Sequence, residues 1–168
     1  MLSEVDIKKL KFNPFEKIGD EWALLMSGDQ NGYNSMTISW GYMGVMFNKP
    51  VFTTVVRPQR YTKEFIDKNE YFTISFFDSE YKKTLAYLGS NSGRDVDKTN
   101  VKGLTVKHCD ETVMYEEASL VLVCKKLFSM EQSAAEFYDK TIPDAIYPTK
   151  DYHTFYTGEI VKAYENKK

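Results

Sequence analysis

The chain has 168 residues, of which 42% are hydrophobic and 27% are charged. These values exclude a disordered or Pro-rich class, and a chain of this length forms one domain that buries roughly 70% of its unfolded surface. With 22 basic and 24 acidic residues the net charge is −2, so no overall positive field favours nucleic acid as a partner. We therefore treat residues 1–168 as a single domain in which any anion site is local.

Seven segments have the alternating, apolar or β-branched patterns of strands: 21–26, 34–40, 51–56, 71–77, 104–108, 119–128 and 152–163. Short helices are predicted after Thr62, after Ser79 and around 133–140, with Thr62 and Ser79 as N-caps. A turn is predicted at 27–32. Because strands outnumber helices and no dinucleotide or P-loop fingerprint is present, the sequence predicts a mainly β, antiparallel barrel.

Compartment and metal content follow from what the sequence lacks. The first residues have no apolar signal-peptide core, and runs such as 118–124 are far shorter than the roughly 20 residues that cross a bilayer. Cys109 and Cys124 are not spaced as a CxxC pair and, with two histidines, form no zinc-ligand pattern. We expect a cytoplasmic protein without a membrane span or metal site, in which Cys124 is a buried core residue.

The first candidate site is the segment Arg57-Pro58-Gln59-Arg60-Tyr61-Thr62, in which two guanidinium groups precede a predicted helix. Arginine donates two parallel hydrogen bonds to phosphate oxygens, and a helix start adds free backbone N–H groups. The Thr62 hydroxyl adds a further donor. The segment is therefore a candidate phosphate site, and the alternative is a solvated basic turn with an ordinary N-cap.

The second candidate is the predicted strand 34–40. Its apolar face consists of Met36, Ile38 and Trp40, and its other face carries small hydroxyl side chains: Ser35, Thr37 and Ser39. Small side chains let the backbone approach a polar heterocycle, and a flavin needs donors near N1, the C2 carbonyl and N5. The alternative is a solvent-facing strand in which Trp40 belongs to the core.

The third candidate is the segment 92–98 of the polar, glycine-bearing loop 89–98, which is long enough to close over a ligand. It completes a phosphate cradle or guards a substrate entrance, and the alternative is a solvated loop. His153 stands at the start of a predicted strand, where a lone histidine is more often structural. Two histidines and no glycine-flanked nucleophile give no hydrolase arrangement.

In order and spacing these segments resemble the flavin reductase-like FMN-binding split-barrel family, which includes flavoredoxins. The resemblance covers residues 18–163 and departs at Thr99, where the family commonly has an aromatic residue. It rests on these motifs: Asn34-Ser35-Met36-Thr37-x-Ser39-Trp40, Lys49-Pro50, Arg57-x-x-Arg60-Tyr61-Thr62, Ser92-Gly93-Arg94-Asp95-x-Asp97-Lys98 and Gly158-Glu159-Ile160.

The resemblance implies a six-stranded antiparallel Greek-key split barrel with a few short flanking helices, which forms a homodimer with one FMN per subunit near the interface. The residues that match cofactor-binding positions are Asn34, Ser35, Met36, Thr37, Ser39, Trp40, Arg57, Arg60, Tyr61, Thr62, Ser92, Arg94, Asp95 and Lys98.

The expected activity is that of an oxidoreductase in which bound FMN, and no catalytic side chain, carries the chemistry. Electrons come from NADH or NADPH and pass to a flavin, protein or metal acceptor. One alternative is a flavoredoxin-like electron carrier or FMN-binding module without nicotinamide turnover, served by protein donors and acceptors. Another is a β-barrel interaction protein without a cofactor.

Overall fold

The computed structural model describes residues 1–109 and 112–166. The strands among these residues are β1 (Leu2–Val5), β2 (Ala23–Asp29), β3 (Gly32–Ile38), β4 (Gly41–Met46), β5 (Lys49–Val56), β6 (Tyr71–Phe76), β7 (Val106–Cys109), β8 (Thr112–Tyr115), β9 (Leu120–Glu131) and β10 (Thr154–Asn166). The α-helices are α1 (Thr62–Lys68), α2 (Lys82–Ser90) and α3 (Thr141–Ile146). Single turns of 3-10 helix lie at Ile7–Lys9, Ser79–Tyr81 and Ala134–Glu136, and a π-helical turn at Glu16–Glu21. None of the described helices is long and apolar enough to cross a membrane.

Every strand pair in the described ranges is antiparallel. The main sheet has the order β3-β2-β6-β9-β10-β5-β4, and β1 pairs with the end of β10 beyond β5. The long β9–β10 pair has register shifts between Thr157 and Gly158 and between Ile160 and Lys162, where irregular pairing bends the strands. The hairpin β7–β8 is a separate sheet. The predicted antiparallel β class is confirmed, but six strands is too low a count.

Both faces of the central strands are buried. Leu25 of β2 packs in a cluster with Phe52 and Phe72, whereas its neighbours Leu24 and Met26 pack in a second cluster with α2 and the β7–β8 hairpin. A strand buried on both sides needs apolar residues at successive positions, which is why 23–26 form an unbroken apolar run. Cys124 is fully buried, as predicted, and burial raises the pKa of its thiol.

Several predicted boundaries are wrong. Ser27 and Gly28 lie inside β2 rather than in a turn. Ser79 belongs to a 3-10 turn that precedes α2, and it is not an N-cap. The strands β1, β4 and β8 were missed because they are short and, in β4, because two glycines interrupt an exposed pattern. The predicted helix at 133–140 divides into a 3-10 turn with a Ser133–Glu136 capping box and a separate helix, α3.

Candidate functional site

Two adjoining cavities form one groove beside β3, because both are lined by Met36 and Arg60. The ring cavity, as we name it, has a volume of about 180 Å³ and is lined by Met36, Thr37, Ile38, Ser39, Trp40, Val55, Arg57, Arg60 and His153. The phosphate cavity, of about 240 Å³, is lined by Asn34, Met36, Gln59, Arg60, Tyr61, Thr62, Ser90, Asn91, Ser92, Gly93, Asp95 and Lys98. The three candidate segments of the sequence therefore meet in one place, although up to 60 or so positions separate them along the chain.

Lys98 is a buried cation in the phosphate cavity. It is 5% exposed, and its Nζ donates hydrogen bonds to the carbonyl oxygens of Ser35 at 3.1 Å and Leu88 at 2.6 Å. No carboxylate pairs with it among the described residues. Burial, with a smaller contribution from the positive charge of Arg60, lowers the pKa of Lys98 to about 8.

Arg60 is the second cation of the phosphate cavity. Its Nη1 donates to the carbonyl oxygen of Gly89 at 3.1 Å, and within residues 1–109 and 112–166 it makes no ion pair. Buried charges in proteins are normally paired, because an unpaired charge removed from water is costly. Two cations without carboxylate partners in one small cavity therefore form a site complementary to an anion.

Thr62 contributes to this cavity differently from the prediction. The residue before it, Tyr61, already has helical backbone angles and is the N-cap, without a side-chain hydrogen bond. The amides of Lys63 and Glu64 donate to the carbonyls of Arg60 and Tyr61, at 2.9 and 3.1 Å. The predicted Thr62 N-cap, with free N–H groups at the start of α1, is therefore wrong, because the carbonyls of Arg60 and Tyr61 already accept hydrogen bonds from two of these amides.

The Thr62 hydroxyl is instead held by β3. It accepts a hydrogen bond of 2.8 Å from Nδ2 of Asn34, and both side chains are buried. This contact connects β3 to the first turn of α1 along the wall of the phosphate cavity.

Arg57 lines the ring cavity but already has an anionic partner. Its Nη1 lies 2.5 Å from Oδ2 of Asp151, its Nη2 donates to the carbonyl of Ile146, and its guanidinium lies 5.0 Å from the ring centre of Tyr147. The hydrogen bond from Arg57 holds the pKa of Asp151 well below its ordinary value. Arg57 therefore connects the segment around α3 to the groove.

The hydroxyl face of β3 is directed toward protein groups. Ser35 Oγ lies 2.9 Å from the hydroxyl of Tyr115, and Thr37 Oγ1 donates to the carbonyl of Leu85 at 2.5 Å. Ser35 is buried and lines neither cavity, although its carbonyl accepts from Lys98. The alternative of a solvent-facing strand is therefore wrong at Ser35.

Trp40 departs from the predicted alternation because β3 ends at Ile38. Its side chain is 48% exposed rather than in the core, and its ring centre lies 5.5 Å from that of His153. His153 is buried, with Nδ1 at 2.7 Å from the hydroxyl of Tyr147. Burial and the charge of Arg57 lower the pKa of His153 to about 4, so its ring is neutral at pH 7. His153 thus has the structural contact expected of it and also lines the ring cavity.

An aromatic cleft that was not predicted adjoins the ring cavity and shares Ser39 and Trp40 with it. Its volume is about 430 Å³, and none of its lining side chains is charged: Pro14, Phe15, Ile18, Gly19, Ser39, Trp40, Gly41, Tyr42 and Met43. The only sequence signal for it is the density of aromatic residues on both sides of the predicted strand. Residues 14–19 form one wall of the cleft and are distant in sequence from residues 39–43, which form the other wall. The sequence pattern alone therefore did not show that these two segments meet.

The family assignment comes from sequence comparison. A family model described as "Flavin reductase like domain" matches residues 16–168. The chain belongs to this flavin reductase-like family. No curated protein sequence matches it significantly.

Solved structures agree with this assignment. Flavoredoxin from Methanosarcina acetivorans is 26% identical, with a TM-score of 0.69 over 95% of this chain and 76% of that one. An FMN-binding protein from Thermus thermophilus, with bound 1-cyclohex-2-enone, is 23% identical, with a TM-score of 0.65 over 86% and 69% of the two chains. The NADH:FAD oxidoreductase SgcE6 of Streptomyces globisporus is 15% identical, with a TM-score of 0.64 over 88% and 78%. The last two show the fold alone, and together they confirm the split barrel.

In this flavin reductase-like domain, all but two of the predicted site residues line the groove. The exceptions are Ser35, which supports Lys98, and Arg94. The side chain of Arg94 lies on the α1 side, where it pairs with Glu64. The described residues contain no group of three or more metal-ligating side chains.

Proposed function

We propose that the groove binds FMN, with its phosphate in the phosphate cavity between Arg60 and Lys98. The observation that carries this proposal is the pair of cations without carboxylate partners in that cavity. A phosphate monoester bears up to two negative charges and accepts short, charge-assisted hydrogen bonds from both side chains. The residues present therefore fit the phosphate end of FMN.

The flavin ring is proposed to occupy the ring cavity. Met36 and Trp40 supply apolar surface there, and Thr37 and Ser39 of the same segment also line the cavity. When bound, FMN supplies the hydride and electron chemistry. The protein binds and orients it, and the neutral ring of His153, held by Tyr147, adds a polar group without a charge.

The proposed activity is electron transfer from NADH or NADPH to a flavin, protein or metal acceptor. The family supports an oxidoreductase, and a protein of the same fold is an NADH:FAD oxidoreductase. The aromatic cleft beside the ring cavity has no charged lining side chain and suits a flat, uncharged ring, such as the reduced nicotinamide ring of the donor. The alternative, a flavoredoxin-like carrier without nicotinamide turnover, is favoured by the similarity to the flavoredoxin of Methanosarcina acetivorans.

Spectroscopy tests both parts of this proposal. We expect the purified protein, after incubation with FMN and removal of free ligand, to have flavin absorbance. The same sample should bleach under anaerobic conditions when NADH or NADPH is added. Colourless protein would refute FMN binding, whereas yellow protein that is reduced only by a protein donor would replace the reductase with the carrier.

We also propose that the protein is a homodimer. Several large apolar side chains lie exposed near the β4–β5 hairpin and the end of β9: Val45, Phe47, Phe128 and Met130. The rings of Phe47 and Phe128 are in contact, with centres 6.0 Å apart, so the patch is continuous across the two elements. Exposed apolar patches of this kind mark interfaces. Light scattering of the FMN-loaded protein should give twice the chain mass of 19.5 kDa, and a monomer would contradict the proposal.

A further inference from the structure

Residues 91–98, which we call the strap, cross the phosphate cavity from the end of α2. At Gly93 a Cβ atom would lie 2.2 Å from Oδ1 of Asn34 and 2.9 Å from Cδ1 of Tyr61. The backbone of the strap therefore rests directly on the opposite wall, and only glycine permits this close approach. Beyond that point, buried Lys98 anchors the far end of the strap to β3 and α2.

Arg94 fastens the middle of the strap to the α1 side. Its Nη2 pairs with Oε1 of Glu64, its Nη1 donates to the carbonyl of Gln59 at 3.0 Å, and its guanidinium carbon lies 4.8 Å from the ring centre of Tyr61. Tyr61 is in turn supported edge-on by Phe65, with ring centres 5.1 Å apart. We call Arg94 and Glu64 the latch. Both side chains are nearly half exposed, and neither lines the cavity.

The latch fixes the strap against Gln59 and Tyr61, and both of these residues line the phosphate cavity. The phosphate cavity holds about 240 Å³, and the strap residues Asn91, Ser92 and Gly93 form part of its wall. In FMN the phosphate is the end of the molecule. In FAD the same phosphate continues into a second phosphate and an adenosine, which need space beyond a cavity whose wall includes the strap.

We infer that the Arg94–Glu64 latch is a specificity determinant that makes this protein select FMN over FAD. The inference rests on the proposed flavin site. Arg94 acts through the strap, as a positioning residue, without touching the flavin. An exposed ion pair contributes little free energy, so the latch resists opening of the strap only modestly and permits exchange of FMN.

Flavin titrations of the full-length protein test the latch. Dissociation constants for FMN, FAD and riboflavin are measured for the wild type, Arg94→Ala and Glu64→Ala. The matched control is Lys125→Ala, which removes an exposed ion pair with Glu70 and a contact with an aromatic ring far from the groove. We expect the wild type to bind FMN at least tenfold more tightly than FAD.

Each latch variant should reduce this preference threefold or more and should accelerate dissociation of FMN. Riboflavin affinity should not change, since riboflavin has no phosphate, and the control should match the wild type. An unchanged FMN-to-FAD ratio in both latch variants, or a wild type without preference, would overturn the latch while leaving FMN binding intact. Failure of the wild type to bind any flavin would overturn the proposed function and the latch together.

Discussion

Because Lys98 is a buried cation with a lowered pKa, we expect FMN binding and protein stability to respond to pH in opposite directions. In the flavin-free protein, burial lowers the pKa of this lysine from 10.5 to about 8. The side chain is therefore about 90% charged at pH 7 and about 10% charged at pH 9. Phosphate requires the charged form, so binding at pH 9 must first return a proton to Lys98. We expect FMN affinity to fall about tenfold between pH 7 and pH 9, or about 1.4 kcal/mol.

Stability of the flavin-free protein should change the other way. Because the folded-state pKa of Lys98 lies below the unfolded value, the unfolded chain binds more protons between these two values. The destabilising effect of the buried charge is complete below pH 8 and is relieved as the pH rises toward 10.5. The contribution of Lys98 to the free energy of unfolding should thus become more favourable by about 1.3 kcal/mol from pH 7 to pH 9.

The assay is a fluorescence titration with FMN and with riboflavin at pH 7, 8 and 9, together with urea unfolding of the flavin-free protein. Lys98→Met should remove the part of the pH dependence that FMN binding has and riboflavin binding lacks. Comparison with this variant separates the effect of Lys98 from the effects of other groups that titrate. Riboflavin, which has no phosphate, is the ligand control. A wild-type FMN affinity that is constant over this range, or that falls in parallel with riboflavin, would refute the assignment of Lys98 to the phosphate.

Substitutions of the two arginines, Arg60 and Arg57, should separate effects on FMN binding from effects on protein stability. Arg60→Ala should weaken FMN by about 1.5–3 kcal/mol, with little effect on riboflavin. Arg57→Ala breaks the ion pair with Asp151 and should mainly lower the melting temperature. An equal loss of FMN affinity in the two arginine variants would contradict this distinction. Gly158→Ala should lower the free energy of unfolding by about 1–3 kcal/mol, because its Cβ would lie 2.8 Å from Cε1 of Phe72. Gly44→Ala, whose Cβ meets no atom within 4 Å, is the matched control in urea unfolding, and similar losses in both variants would refute the overpacking argument.

Local sequence patterns predicted most of the strands, because alternation and β-branched runs are written within a few residues. The run ending at Val56 and the run from Tyr71 were both found near their true ends. Errors came where tertiary packing overrides the local pattern. Trp40 continues the apolar alternation of β3 in sequence, but the strand ends two residues earlier and the ring is half exposed.

The candidate site was predicted as three separate segments, each with a plausible non-functional alternative. The sequence showed the chemical character of each segment, because arginines before a turn and a polar glycine-bearing loop are local features. The sequence did not show which of these hydrogen-bond donors are available to a ligand. Arg57 has Asp151 as a partner, and Thr62 is held by Asn34, through contacts that join residues far apart in the chain.

The sequence alone determined an antiparallel β domain of the flavin reductase-like type and the residue types of its groove. Only the tertiary structure decided that Lys98 and Arg60 share one cavity and that neither makes an ion pair with a described residue, whereas Arg94 lies outside the cavity and pairs with Glu64. The reason is physical: side-chain identity is local, but burial and charge pairing depend on which distant segments the fold brings within a few ångströms.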